Sequence, residues 1–304
     1  MKKTIVIFLA CLLLLAGCSL ESPVKKDKSG KTNKNKSDIT IGVSISTLNN
    51  PFFVTIKDNI EKEAKKQGMQ VKVVDARDDS AKQTNDIEDL VQQQVDYLIV
   101  NPTDSSAISS AVQSANNEGI LVITLDRSVD KGEVASFIAS DNVEGGKMGG
   151  KFIVDKVGKQ AKVAELEGVP GASATRERGK GFHEIADKDL NIVSKQSAKF
   201  DRAEGLNVTQ NMIQAHPDIK AIFAHNDEMA LGAIEAIGDK DIVVVGFDGN
   251  EDAMKAIKNH QLDATVAQQP QLMGKEAVQT VLKLMDGKKV EKAIKIPLKL
   301  ETAK

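Results

Sequence analysis

From Ile39 almost to the end of the chain, short β-branched runs alternate with amphipathic stretches, and that alternation leaves few folds open. Residues 39–46, 71–75, 97–101, 121–125 and 136–139 read as strands, with helical periodicity over 53–67, 85–94 and 105–118 between them. A second series has strands at 161–166, 192–197, 221–224, 242–247 and 264–267, with helices at 144–157, 176–186, 203–214, 228–237 and 251–259. Strands separated by helices of this length pair in parallel and are covered by their crossovers. Two such series predict two α/β domains, each a doubly wound parallel sheet, with a small-molecule site in the cleft between them. No tandem repeat is visible at the level of residues.

The first residues carry a different signal. Lys2 and Lys3 make a basic start, Thr4 to Leu15 form a short apolar stretch, and Leu15-Ala16-Gly17-Cys18 closes it with small residues. This is the layout of an export leader, and the apolar stretch is too short for a permanent span. Leu-Ala-Gly-Cys is similar to the lipobox of bacterial lipoproteins, which implies a signal peptide at 1–17 and lipidation of Cys18. Residues 19–37 hold Lys25, Lys26, Lys28, Lys31, Lys34 and Lys36 without apolar periodicity, as expected of a solvated tether. Together with Cys18 they form a flexible linker over 18–38.

The chain has two cysteines, Cys11 and Cys18. With the leader removed and Cys18 acylated, no thiol is left for a disulfide, a nucleophile or a metal site. Loss of Lys2 and Lys3 takes the formal charge two units below its value of −2, so no basic surplus exists for a nucleic-acid backbone.

Two motifs fail where their chemistry is most specific. Gly145-Gly146-Lys147-Met148-Gly149-Gly150-Lys151-Phe152 nearly spells a phosphate-binding loop, but Phe152 stands where the magnesium-binding hydroxyl belongs. Those glycines read instead as close packing at a helix start. Gly171-Ala172-Ser173-Ala174-Thr175 lacks the last glycine of a nucleophile elbow, so Ser173 reads as a loop or helix-cap residue. His183, His216, His225 and His260 show no paired ligand spacing, so no metal or other cofactor is expected. No carboxylate pair stands out for acid–base chemistry either, and the chain is not expected to be an enzyme.

Six strand ends do agree with one another. Ser46 closes the first strand, and Asn49-Asn50-Pro51-Phe52-Phe53 follows it, placing two rings in a chain that is 3% aromatic and has no Trp. Asp126 and Arg127 follow the fourth strand, and Arg178 lies beyond the first strand of the second series. Asn226, Asp248 and Gln268 sit at three later strand ends. In parallel α/β folds this edge is where ligands bind. A polyol needs acceptor-only Asp, donor-only Arg and two-way Asn or Gln, while Phe faces cover its C–H surfaces. Each residue also has a plainer use. Either ring can plug the following helix into the core, Asp248 can cap the next helix, and Asp126–Arg127 can be a surface or hinge ion pair. Asp227 reads as the cap of the helix starting at Glu228, which leaves Asn226 to face a ligand.

The strings S-T-L-N-N-P-F-F, V-I-T-L-D-R, A-S-D-N-V-E-G-G-K, A-T-R-E-R-G, F-D-R-A-E-G-L-N-V, N-D-E-M-A-L-G-A and V-V-G-F-D-G resemble the bacterial D-ribose-binding proteins. These are type I periplasmic-binding proteins that feed ABC importers, and the likeness runs from about Ile39 to Leu300. It implies a ligand set of Ser46, Asn50, Phe52, Phe53, Asp126, Arg127, Arg178, Phe200, Asn226, Asp248 and Gln268. Phe200 enters by the resemblance alone, and is expected to stack opposite the first-domain rings. A three-strand hinge is also implied, with one lobe at 39–140 plus 269–297 and the other at 141–268 plus 298–304. D-ribose, the permease and ATPase subunits of an importer, and the membrane through lipid on Cys18 are the implied partners of a monomer on the outer face of the cytoplasmic membrane. A related pentose, allose or a signalling furanose remains an alternative ligand. The effector-binding core of a sugar-responsive repressor shares the fold, but needs a helix-turn-helix where residues 1–37 offer a leader.

Overall fold

Strands apolar on both faces must be covered on both faces, which joins them through helices and makes their pairing parallel. The computed structural model describes Thr32 and residues 34–303 and has this arrangement twice. Lipidation of Cys18 and the signal peptide lie outside the described residues. One sheet comprises β1 (Thr40–Ile45), β2 (Gln70–Asp75), β3 (Tyr97–Val100), β4 (Leu121–Leu125), β5 (Val134–Ser140) and β11 (Ala293–Ile296). The other comprises β6 (Lys162–Glu167), β7 (Asn191–Ser197), β8 (Ala221–Ala224), β9 (Val243–Asp248), β10 (Ala264–Ala267) and β12 (Lys299–Thr302). Their orders are β11-β5-β4-β3-β1-β2 and β12-β10-β9-β8-β6-β7, so the lobes repeat one topology although the sequence shows no repeat. β12 pairs antiparallel with β10, and the other neighbours are parallel.

The first sheet is covered by α1 (Pro51–Lys66) and α9 (Pro270–Met285) on one face, and by α2 (Ser80–Gln92) and α3 (Ser109–Asn117) on the other. α4 (Asn142–Val157) and α5 (Ser173–Asp189) cover one face of the second sheet; α6 (Arg202–Ala215), α7 (Asp227–Ile237) and α8 (Glu251–Lys258) cover the opposite one. Alternation along a strand divides its residues between the two cores. Tyr97 and Ile99 join the α1/α9 core, whereas Leu98 and Val100 join the α2/α3 core. Side chains at the strand ends start the helices: Asn50, Asp79, Asp141, Asp201 and Asn226 each accept a hydrogen bond from a first-turn backbone N–H.

The chain crosses between the sheets at Asp141, at residues 268–269 and at 297–298. Lys295 pairs with Asp141 at 2.8 Å and Gln269 donates to the Pro297 carbonyl at 3.2 Å, tying the crossings together. Several features differ from the sequence reading. β11 and β12 were not expected; they are half-exposed edge strands of four residues, without the apolar run that marked the others. Residues just before 39 also contact the first lobe: Lys34 pairs with Asp96 at 2.7 Å and Lys36–Asp38 forms a 3₁₀ turn. Ser173 is not a cap but the first residue of α5, whose N-cap is Ala172.

The glycine run packs as expected. A Cβ on Gly146 would overlap the Arg178 carbonyl, and one on Gly181 would overlap the Val143 carbonyl, so α4 and α5 meet backbone to backbone. Because backbone cannot yield, Gly181→Ala should destabilise the protein by about 1–3 kcal/mol, read as a lower urea midpoint at unchanged slope. An unaltered midpoint would show that the helices do not meet this closely.

Candidate functional site

Cap bonds orient the first loop. Asn50 Oδ1 accepts from Phe52 N at 2.9 Å, and Pro51 opens α1, which turns both rings inward. Phe52 and Phe53 are 2% and 3% exposed and meet edge to face at 5.3 Å. They belong to the α1/α9 core and also line a cavity between the lobes, so the structural and the ligand-facing roles coincide. The cavity is narrow and is walled by Asn50, Phe52, Phe53, Asp126 and Arg127 from one lobe. Ala174, Arg178, Phe200, Asn226 and Asp248 wall it from the other.

Nine of the eleven residues singled out in the sequence thus meet at one wall, and Ala174 joins them unforeseen, since a small apolar residue carries no signal. Two stand behind it. Ser46 is fully buried and donates from its hydroxyl to Asn101 Oδ1 at 2.6 Å, which holds it away from the cavity. Gln268 Nε2 donates to Asp248 Oδ1 at 2.8 Å. A wider groove lined by Ile120, Leu121, Val134, Val290, Lys288 and Lys289 lies at the opposite ends of the strands and gathers no buried charge.

Four buried charges dominate the cavity. Arg178 lies 3.7 Å from Asp126 and 3.7 Å from Asp248, and Arg127 lies 3.6 Å from Asp126. Two guanidinium groups thus face two carboxyl groups, each 2–3% exposed. The separations exceed hydrogen-bond length, and Asp126 Oδ1, Arg127 Nε and Gln268 Oε1 have no hydrogen-bond partner. Burial lowers the Arg127 pKa, with Asp126 opposing it. Burial raises Asp248 well above the usual carboxylate range, with Arg178 opposing and Asp227 adding to the rise. Such a set has unused donors and acceptors held in a low-dielectric space, where each is worth more than in water.

The guanidinium groups are fixed by rings and carbonyls. Arg127 lies 5.0 Å from the centroids of both Phe53 and Phe200, and its Nη1 donates to the Pro102 carbonyl at 3.1 Å. Phe200 therefore faces the first-lobe rings through Arg127, not directly. Arg178 stacks 3.8 Å from the Phe247 ring, while Nε donates to Asn142 Oδ1 at 2.9 Å and Nη1 to the His225 carbonyl at 2.6 Å. Asn226, not Asp227, caps α7: its Oδ1 accepts from Met229 N at 3.0 Å and its Nδ2 donates to the Phe200 carbonyl at 3.1 Å. Asp248 caps nothing, because α8 begins at Glu251 after Asn250. Asp126, Phe200 and Asp248 have φ of 60°, 62° and 125°. Left-handed backbone at non-glycine residues costs roughly 1–3 kcal/mol each and gathers at functional sites.

The lobes also touch beside the cavity: Ser105 N donates to the Gly171 carbonyl at 3.0 Å, and Ser128 N to Ser173 Oγ at 2.9 Å. No described helix is long and apolar enough to cross a membrane, and no metal-binding group of side chains occurs among the described residues.

A periplasmic binding protein domain is matched over residues 41–289. The chain belongs to this family. It is 62% identical over 309 residues, spanning 100% of both chains, to the ribose import binding protein of Bacillus subtilis (strain 168). It is 49% identical to the ribose import binding protein of Escherichia coli (strain K12), over 86% of this chain and 90% of that one. The crystal structure of an ABC transporter solute-binding protein from Bacillus halodurans C-125 with bound myo-inositol superposes with a TM-score of 0.84 at 31% identity, covering 90% of this chain and 96% of the other. The family is built of two such lobes, and its members bind solutes rather than transform them.

Behind Arg178 lies a cluster of titratable groups centred on buried Glu165. Glu165 is fully buried; its Oε1 meets His225 Nε2 at 2.8 Å and its Oε2 meets His183 Nε2 at 2.9 Å, while His183 Nδ1 meets Asp187 at 2.7 Å. The Glu165 hydrogen bond, against some desolvation and with Asp187 helping, raises His183 to about 9. Burial works to raise Glu165, but hydrogen bonds from both histidines overcome it and hold the group at about 2. The His183 contribution to stability is thus complete below its ordinary 6.5 and is lost as pH rises through about 9. The Glu165 contribution is present above 4.5 and is lost as pH falls through about 2. Urea unfolding should show a loss of stability between pH 6.5 and 9 that disappears in His183→Gln. An imidazole titrating near its ordinary value by NMR would show that the pair is not formed.

Proposed function

We propose that this chain captures D-ribose in the cleft between its lobes and delivers it to an ABC importer from outside the cytoplasm. The observation that carries the reading is the cavity wall. Two buried acids meet two buried guanidinium groups there, Asp126 Oδ1 and Arg127 Nε have no hydrogen-bond partner, and three phenyl rings flank them. The 62% identity to a ribose import binding protein, against 31% to the inositol-bound structure, favours the pentose.

On this reading Asp126 and Asp248 accept from sugar hydroxyls, Arg127 and Arg178 donate to sugar oxygens, and Asn50 and Asn226 add two-way amides. Phe52, Phe53 and Phe200 cover the C–H faces. Gln268 orients Asp248 and Ser46 orients Asn101 from behind the wall. The lobes comprise 39–140 with 269–297 and 141–268 with 298–304, and they hinge at the three crossings. Closure desolvates the charged groups around the sugar and shapes the surface presented to the permease. The Leu15-Ala16-Gly17-Cys18 string supports a cleaved leader and a lipid anchor on Cys18, with the body acting as a monomer on the outer face of the membrane.

Calorimetry with ribose, xylose, arabinose, allose and galactose should give ribose the lowest Kd; tighter binding of any competitor sinks the assignment. Arg178→Ala leaves two buried acids without their shared cation. Each charged hydrogen bond is worth about 1.5–3 kcal/mol, so ribose affinity should fall at least a hundred-fold. Unchanged affinity would remove Arg178 from the ligand set. Cys18→Ser should move the protein from the membrane fraction to the soluble one, and continued sedimentation with membranes would refute the anchor.

A further inference from the structure

Asp227 is fully buried at the first position of α7 and is not the helix cap, so its carboxyl needs another use. Oδ1 accepts from Thr265 Oγ1 on β10 at 2.6 Å, and Oδ2 accepts from Asn250 N at 2.7 Å. The Gly249 backbone N–H is directed at the same group. The turn so held begins at Asp248, where φ is 125°, and continues through Gly249, where φ is 78°. A strand running on with ordinary extended dihedrals would not turn here, and the Asp248 side chain would leave the sheet in another direction. Instead its Oδ1 meets Gln268 Nε2 at 2.8 Å and lies 3.7 Å from Arg178.

The cost of this arrangement is visible. Among the described residues no lysine or arginine pairs with Asp227, and its charged neighbours are Glu228 and Asp248. Burial, only partly offset by the Thr265 and backbone hydrogen bonds, pushes it up to about 7. An apolar residue would avoid that desolvation. Space is also reserved for the carboxyl, since a Cβ on Gly246 would overlap Asp227 Oδ1. What the carboxyl supplies, and an apolar group cannot, is the pair of acceptors that holds the left-handed turn.

We infer that Asp227 is a positioning residue for Asp248: from α7 it clamps the turn at 248–250 and so aims the Asp248 carboxylate into the cavity. The inference rests on the reading that Asp248 is a ligand of the sugar. In Asp227→Ala the turn can relax towards extended backbone, and ribose affinity should fall roughly ten- to hundred-fold, the range set by one strained residue. Asp227→Asn keeps the shape, with its amide oxygen on Asn250 N–H and its nitrogen on Thr265 Oγ, and should recover most of that loss. A residue that only supplied charge would not give this recovery, and one that only filled space would leave Thr265→Val without effect.

The test is calorimetry with ribose on the full-length protein, together with NMR of the Gln268 side-chain amide, which donates to Asp248 and reports where that carboxylate lies without any sugar. The amide signals should move in Asp227→Ala and return towards wild type in Asp227→Asn. If Asp227→Ala does not fold, Thr265→Val removes one clamp bond, and Gly246→Ala displaces the carboxyl; both should move the amide and weaken ribose. Unmoved Gln268 signals overturn the inference whether or not sugar binds, as does an affinity loss that Asp227→Asn fails to recover. A wild-type protein that ignores ribose overturns the ribose reading alone, and the amide signals still decide the clamp.

Discussion

The contact on which the cleft depends is the bridge that Arg178 makes from one lobe to both acids. It approaches Asp126 on the facing lobe and Asp248 on its own, at 3.7 Å each. Buried charges are tolerable only in balance, so each partner constrains the rest. Arg127 supplies the second cation, and the rings of Phe53 and Phe200 give it a face on either side. Arg178 in turn is immobilised by Asn142 immediately after the first crossing, by the His225 carbonyl and by the Phe247 ring. The backbone-to-backbone approach of α4 and α5 brings Asn142 and Arg178 together, which is why a glycine run that resembled a phosphate loop matters here without binding phosphate.

The duplicated topology explains why the acids come as a pair. β4 and β9 hold the same place in their sheets, and Asp126 and Asp248 leave the two strands in left-handed conformations. The turns after β2 and β7 also correspond. Arg77 and Asp78 have φ of 54° and 62°, Lys199 and Phe200 have 54° and 62°, and Asp79 and Asp201 then cap the next helices. One backbone device is thus used twice with different side chains: an acid in one lobe and an aromatic ring in the other.

That duplication also marks what could be read from residues alone. The alternation of runs located the first ten strands, because each carries a β-branched or apolar run between helical stretches, although the edge strands β2 and β7 have no buried residue. β11 and β12 escaped because edge strands of four residues alternate with exposed lysines and acids, and their pairing partners, not their composition, make them strands. Strand-end chemistry brought out Asn50, Asp126, Arg127, Arg178, Asn226 and Asp248, whereas Phe200 required the family resemblance. Its signal is a backbone angle, and a left-handed Phe looks like any other Phe in sequence. The assignment of the cap to Asp227 failed for a related reason. Asn226 and Asp227 are both good cap residues, and what separates them is Thr265 and Asn250, brought close only by the fold.

The charge balance has a consequence for closure. On the proposed closure, bringing the lobes together would strip water from two acids and two guanidinium groups at once, and the direct contacts among them are too long to satisfy every donor and acceptor. A guest that bonds to all four lowers the free energy of the closed arrangement without affecting the open one to the same degree. Differential affinity of that kind is the only way a ligand shifts such an equilibrium. An apolar guest of the same volume would fill the cavity and leave Asp126 Oδ1 and Arg127 Nε unpartnered. A neutral molecule with hydroxyls around its edge and C–H groups on its faces suits both the charges and the rings, so selection for a sugar and selection for the closed state are the same physical requirement.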